Sequence, residues 1–181
     1  MAKLTRAQAQ MLQRLIRVDQ AGELGANVIY QGQYFVMKRD KKSGPVIKHM
    51  WEQEVNHLTR FNALAAKHRV RPTLLTPIWQ CAGLALGSCT ALLGTKAAMA
   101  CTEAVETVIG EHYNNQLREL LSIEGAEMED LRETVRQFRD EELEHLDTAV
   151  EWDSHEAPAY PVLTQLIKSG CKSAIWLSQR V

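Results

Sequence analysis

Two Glu-x-x-His sequences, Glu54/His57 and Glu142/His145, and two further glutamates, Glu23 and Glu106, stand where helical periodicity turns them inward. At i and i+3 a carboxylate and an imidazole leave one helical face and can reach the same ion. Each belongs to a largely apolar stripe at three/four spacing. The first stripe is Leu12, Ile16, Asp19, Glu23, Ala26 and Tyr30; the second is Met50, Glu54, His57 and Phe61. The third is Met99, Thr102, Glu106, Ile109 and Tyr113; the fourth is Leu131, Val135, Phe138, Glu142, His145 and Ala149. A buried carboxylate costs several kcal/mol unless it is paired or bound to a cation. No lysine or arginine lies on these stripes, so the economical partner is a metal ion.

Four carboxylates and two imidazoles are the ligand set of carboxylate-bridged di-iron or di-manganese centres in ferritin-like bundles. Zinc more often recruits thiolates or three histidines, and calcium needs no imidazole. Chain order agrees: Glu23 precedes Glu54 by 31 residues and Glu106 precedes Glu142 by 36. Either gap lets an antiparallel helix pair return past a common level, so the halves read as a loose duplication. With 16 Glu and 6 His, chance alone supplies roughly 0.5 Glu-x-x-His pairs, so the pairs mean little without the stripes. Glu103, one turn before Glu106, is the strongest competitor for a place in the site. Glu52 lies off its stripe, Glu141 and Glu144 lack a histidine at the right interval, and His49, His68 and His155 read as ordinary histidines.

Six helices position these residues. Thr5 to Gln8 forms a capping box that opens a first helix running to about Met37. Ser43-Gly44-Pro45 starts a second, with Pro at its first position, ending near Lys67 before Arg71-Pro72. A third lies within 73–95; a fourth covers about 96–121, a fifth about 128–152 after a break at Gly125, and a sixth opens at Ala157-Pro158 and ends near Leu177. No stretch alternates with period two. The fold class is all-α: a four-helix bundle with two additional helices facing a membrane or partner. One domain, 1–181, comprises halves of about 5–68 and 96–152, an apolar crossover at 73–95 and a final helix at 158–177.

Composition agrees. The 181 residues are 45% hydrophobic and 24% charged, with a net charge of -1, which gives nucleic-acid binding no support. The cysteines at 81, 89, 101 and 171 have no Cys-x-x-Cys spacing, as expected of a reducing compartment. The opening Met1 to Gln8 has no apolar run, so no secretory signal is expected. Residues 73–95 carry no charge but include Pro77 and three glycines. That length is nominally enough to span a bilayer; a helix lying in the membrane interface or a buried crossover fits better.

At these residues the chain resembles the demethoxyubiquinone hydroxylases of ubiquinone biosynthesis. The resemblance rests on IRVDQAGELGA (16–26), GPVIKHMWEQEVNHL (44–58), ALLG (91–94), AMACTEAVE (98–106), HYNNQL (112–117), FRDEELEHLD (138–147) and APAY (157–160). It implies two irons held by Glu23, Glu54, His57, Glu106, Glu142 and His145. One departure is Gln20, where the family's histidine is expected; lying off the ligand face, it should tune the site and not abolish it.

The resemblance further implies hydroxylation of the demethoxyubiquinone ring with O2 and a reductant, NADH by family linkage. No Gly-x-Gly-x-x-Gly loop is present, so Lys168, Lys172 and Arg180 of the last helix are candidates to receive that cofactor. Tyr113 and His112 are candidate catalytic residues, the phenol placed to relay an electron or proton or to hydrogen-bond a ligand, and Asp19 is expected to orient a histidine ligand. A polyprenyl substrate implies a peripheral place on the matrix side of the mitochondrial inner membrane, or on a bacterial inner membrane, and a lipid-binding accessory protein of the same pathway as partner. The rival readings are a ferroxidase or peroxidase with the same ligands, and a non-catalytic membrane-surface bundle.

Overall fold

The computed structural model describes residues 5–121, 123 and 125–181. Residues 1–4, on which the reading of the chain's start partly rests, lie outside the described residues. The elements are α1 (Arg6–Met37), α2 (Ser43–Lys67), α3 (Thr76–Leu92), α4 (Thr95–Leu120), α5 (Ala126–Glu151), a 3-10 turn (Ser154–Glu156) and α6 (Tyr160–Ser178). Among the described residues there is no strand, and the fold is an all-helical bundle of ferritin-like kind.

The Thr5/Gln8 capping box closes as expected: the Gln8 amide donates to Thr5 Oγ1 at 3.2 Å and the Thr5 amide to Gln8 Oε1 at 2.8 Å. Two starts differ from the sequence expectation. α2 begins at Ser43, which places Pro45 third and not first. The Asp40 carboxylate accepts from the amides of Lys42 and Ser43 at 2.9 and 2.7 Å, so the turn is satisfied two residues before the proline. α6 opens at Tyr160 and not at Ala157-Pro158, because Ala159 takes a left-handed φ of 51° and the short turn intervenes.

α1 packs along α2 and along α3; α4 packs along α5 and along α6. The four helices α1, α2, α4 and α5 surround the core, and α3 and α6 lie over α1 and α4. The core runs through Ile16, Phe61, Tyr113, Leu131 and Val135, with a second cluster around Tyr30, Met50 and Met99. α3 approaches α1 through glycines: a Cβ on Gly87 would fall on the backbone carbonyl of Ile29, and one on Gly32 would lie 2.6 Å from the Leu84 carbonyl. At its far end α3 meets α6, where the Trp79 indole donates to Ser178 Oγ at 3.1 Å. Among the described residues no helix is long and apolar enough to cross a membrane, which removes the spanning reading of 73–95. α3 and α6, with the residues flanking α3, nevertheless expose Leu74, Ile78, Leu92, Leu93, Val162, Leu166 and Trp176.

Candidate metal centre

The four bundle helices deliver their stripes to one level. Glu23 comes from α1, Glu54 and His57 from α2, Glu106 from α4, Glu142 and His145 from α5; all six are buried. They form two overlapping groups, Glu23/Glu54/His57/Glu142 and Glu54/Glu106/Glu142/His145, with ligand atoms within 4.8 Å of one another in each. Glu54 and Glu142 belong to both. His57 Nδ1 lies 3.4 Å from Glu23 Oε2 and 3.3 Å from Glu142 Oε1. His145 Nδ1 lies 3.3 Å from Glu54 Oε1 and 3.1 Å from Glu142 Oε2. Among the described residues the ion-pair partners of these carboxylates are the two histidines.

The cluster is electrostatically incomplete by itself. Burial, then the neighbouring carboxylates, push Glu54 and Glu106 well above the ordinary glutamate range of 4.5; Glu23 is raised for the same first cause. Burial also works on Glu142, but the His145 and His57 imidazoles beside it pull it down to about 2. Burial opposes charge on the imidazoles, yet Glu142 and Glu23 hold His57, and Glu142 holds His145, above the usual histidine value. Glu23 Oε2, both oxygens of Glu54, His57 Nδ1, Glu106 Oε2 and Glu142 Oε1 are buried without a hydrogen-bond partner. Each such orphan costs about 1–3 kcal/mol. Divalent cations would satisfy all of them, so the residues fit a metal pair.

Around the six stand residues that hold them in place, of which only Tyr113 stands out in the sequence. Tyr113 donates to Glu23 Oε1, and Tyr30 donates to Glu106 Oε1 at 2.7 Å. Burial first, and the nearby carboxylates next, hold both phenols protonated well above 10. The exchange is reciprocal: α1 supplies a glutamate to the α4 tyrosine and α4 a glutamate to the α1 tyrosine. Each tyrosine follows its own helix's glutamate by seven residues, a repeat that could have flagged Tyr30. The histidines are held in the same crossed way. His57 Nε2 meets Glu141 Oε2 at 2.6 Å, and His145 Nε2 meets Gln53 Oε1 at 3.0 Å. Gln53 and Glu141 each precede the glutamate of a Glu-x-x-His sequence.

Other expectations fall elsewhere. Asp19 does not orient a histidine ligand; its Oδ1 accepts from Gln116 Nε2 at 2.6 Å and meets His112 Nε2 at 3.2 Å. His112 therefore faces Asp19, beside Tyr113 but outside the cluster. Glu103 does not compete: it turns to the far side of α4, where Ser154 Oγ and the Tyr160 hydroxyl each donate to it at 2.5 Å. Gln20 donates to Asn62 Oδ1 at 3.1 Å, away from the ligands. Lys172 pairs with Glu111 at 3.1 Å, and Arg180 lies 3.9 Å over the Trp176 ring. Lys168 and Lys172 thus lie on α6 and Arg180 just past its end, and the three are not gathered at one point.

Two cavities reach the cluster from different sides. A cavity of about 540 Å³ lies between α1, α3, α4 and α6, walled by apolar side chains such as Ile29, Val105, Ile109 and Ile167, with Glu23 and Tyr113 at its inner end. A smaller one of about 280 Å³ lies between α2 and α5 and touches His49, Gln53, Glu144 and His145.

The family model described as ubiquinone biosynthesis protein COQ7 matches residues 10–178. A mitochondrial 5-demethoxyubiquinone hydroxylase of Saccharomyces cerevisiae is 53% identical over 190 residues, covering 98% of this chain and 82% of the relative. A mitochondrial NADPH-dependent 3-demethoxyubiquinone 3-hydroxylase of Rattus norvegicus is 56% identical over 167 residues, covering 92% and 76%. A 3-demethoxyubiquinol 3-hydroxylase of Rhodospirillum rubrum is 50% identical over 173 residues, covering 96% and 80%.

Proposed function

The chain belongs to the ubiquinone biosynthesis protein COQ7 family, and on that premise we propose that it is a di-iron monooxygenase that hydroxylates the ring of demethoxyubiquinone. The observation that carries this reading is the pair of overlapping buried ligand groups at the inner end of an apolar cavity. In the net reaction a ring C–H becomes C–OH with one atom of O2, and the other atom leaves as water. The two electrons and two protons this needs come from a reduced nicotinamide and solvent. The names of mammalian relatives specify NADPH, where family linkage in the sequence suggests NADH.

Glu23, Glu54, His57 and Glu142 hold one iron; Glu54, Glu106, Glu142 and His145 hold the other. Hard carboxylate oxygens suit ferric iron and the imidazoles retain ferrous iron. The chemistry supplied by such a pair when bound is two-electron activation of O2. The residues around it position and insulate. Tyr113 and Tyr30 keep their protons and fix the outer carboxylates of Glu23 and Glu106. The cavity walls exclude water and seat the ring against Glu23 and Tyr113, with His112 at the same end. Lys168 and Lys172, one turn apart on α6, are the proposed contacts for the nicotinamide's phosphates; Arg180 adds charge beyond them.

The substrate's lipid tail follows the apolar cavity outward to the exposed leucines of α3 and α6. Attachment is therefore peripheral, at the mitochondrial inner membrane or its bacterial counterpart, and the same faces receive a lipid-binding accessory protein. The whole chain works as one domain, two helix-pair halves joined by the 73–95 crossover. The apolar cavity also favours this reading over a ferroxidase, whose substrate is an ion. The test is hydroxylation of a short-chain demethoxyubiquinone analogue by reconstituted protein with NADPH or NADH. Ring hydroxylation with about two irons per chain is expected; iron mineralisation without hydroxylated product, or no iron uptake, would contradict it.

A further inference from the structure

The two proposed metal positions match in most respects. Each has one histidine Nδ1, both shared carboxylates, and one outer glutamate that accepts from a buried tyrosine. They differ behind the histidines. His57 is backed by the carboxylate of Glu141 at 2.6 Å, His145 by the carboxamide of Gln53 at 3.0 Å. The two backing residues are equivalent by position, each the neighbour of a Glu-x-x-His glutamate on the facing helix, so the sequence puts a charge at one of two matched places. We propose, on the reading of this cluster as a two-metal site, that Glu141 makes the two positions unequal and the Glu23/His57 position the first to fill.

A charge-assisted hydrogen bond is shorter and about twice as strong as a neutral one. It pins the imidazole with its outer nitrogen protonated and raises the basicity of the nitrogen facing the metal. Glu141 is itself oriented, since its Oε1 accepts from Gln137 Nε2 at 2.8 Å. His57 is further clamped by Phe138, stacked at 4.0 Å. On the other side the His145 ring meets Tyr30 edge-on at 5.6 Å and is backed by the neutral Gln53, and the smaller cavity runs up to His145 and Gln53, where water can compete for the ring. Glu141 is thus a positioning residue, acting on the metal only through His57.

The experiment is anaerobic titration of the metal-free full chain with ferrous iron, followed by calorimetry and by Mössbauer spectroscopy. Wild type is expected to bind in two steps of different affinity. Glu141→Gln keeps shape and removes charge; it should weaken the first step about 10–100-fold, leave the second alone and shift one of two ferrous doublets. Gln53→Glu should tighten the second step, and it carries the test by itself if Glu141→Gln does not fold. Equal wild-type steps, a Glu141→Gln effect spread over both steps, or an unchanged second step in Gln53→Glu would overturn the proposal while leaving the two-metal site standing. Absence of any binding to wild type would overturn the metal site and this proposal together.

Discussion

At the scale of single residues, the site is a set of buried acceptors waiting for positive charge, and the consequences separate cleanly. Glu142→Ala removes a carboxylate common to both ligand groups and should cut iron content to well below that of wild type and abolish hydroxylation, read by metal analysis and product assay. Glu103→Gln, also buried but tied to Ser154 and Tyr160, should leave iron content unchanged and lower stability by about 1–3 kcal/mol. The pH dependence has a definite sign. Between about pH 5 and pH 8 unfolded glutamates have lost their protons, whereas burial makes native Glu54 and Glu106 give theirs up later; the native histidines, raised against burial by the carboxylates beside them, likewise keep theirs past the pH where unfolded ones let go. Glu142 is ionised in both states across that window and adds no slope. The native state binds more protons, so metal-free protein should lose stability as pH rises, seen as a lower Tm at about pH 8 than at about pH 5.5. Iron loading should abolish that trend, and a metal-free Tm that rises with pH would contradict it. The convergence of the six side chains was legible because each sits on an apolar stripe that has only one place to go. Tyr30 was visible on its stripe, yet a phenol there fits an ordinary core equally well until its partner is known. Glu141 and Gln53 were illegible: both lie one residue off the ligand face, and their role exists only across the gap between α2 and α5.

At the scale of elements, α3 is the piece whose sequence was most ambiguous and whose packing is most particular. Its uncharged run reads as bilayer-spanning by length alone, but it is shortened to Thr76–Leu92 and pressed on α1 through glycine. Because a Cβ at Gly87 would meet the backbone of Ile29 and not a movable side chain, Gly87→Ala must push the helices apart. A loss of about 1–3 kcal/mol in thermal or denaturant unfolding is expected, with widening of the cavity that α3 walls; an unchanged Tm would mean the approach is not tight. The helix starts show where local signals mislead. Proline marks the vicinity of both α2 and α6, but the actual first turns are set by the Asp40 carboxylate in one case and by the left-handed Ala159 in the other, and neither effect can be read from residue type alone.

At the scale of the whole molecule, the bundle is polarised. One side carries the apolar cavity, with exposed leucines of α3 and α6 beside it; the other, between α2 and α5, carries a smaller cavity lined in part by His49, Gln53, Glu144 and His145. Replacing Leu74 and Leu166, 83% and 68% exposed, by glutamate should weaken flotation with anionic lipid vesicles and leave iron content intact; flotation equal to wild type would place the membrane contact elsewhere. The central claim, that two irons sit between these four helices, is met most directly by anomalous diffraction at the iron edge from crystals of the reconstituted protein. Two peaks are predicted, one among Glu23, Glu54, His57 and Glu142 and one among Glu54, Glu106, Glu142 and His145. A single peak at full loading, or iron bound anywhere else, would contradict it.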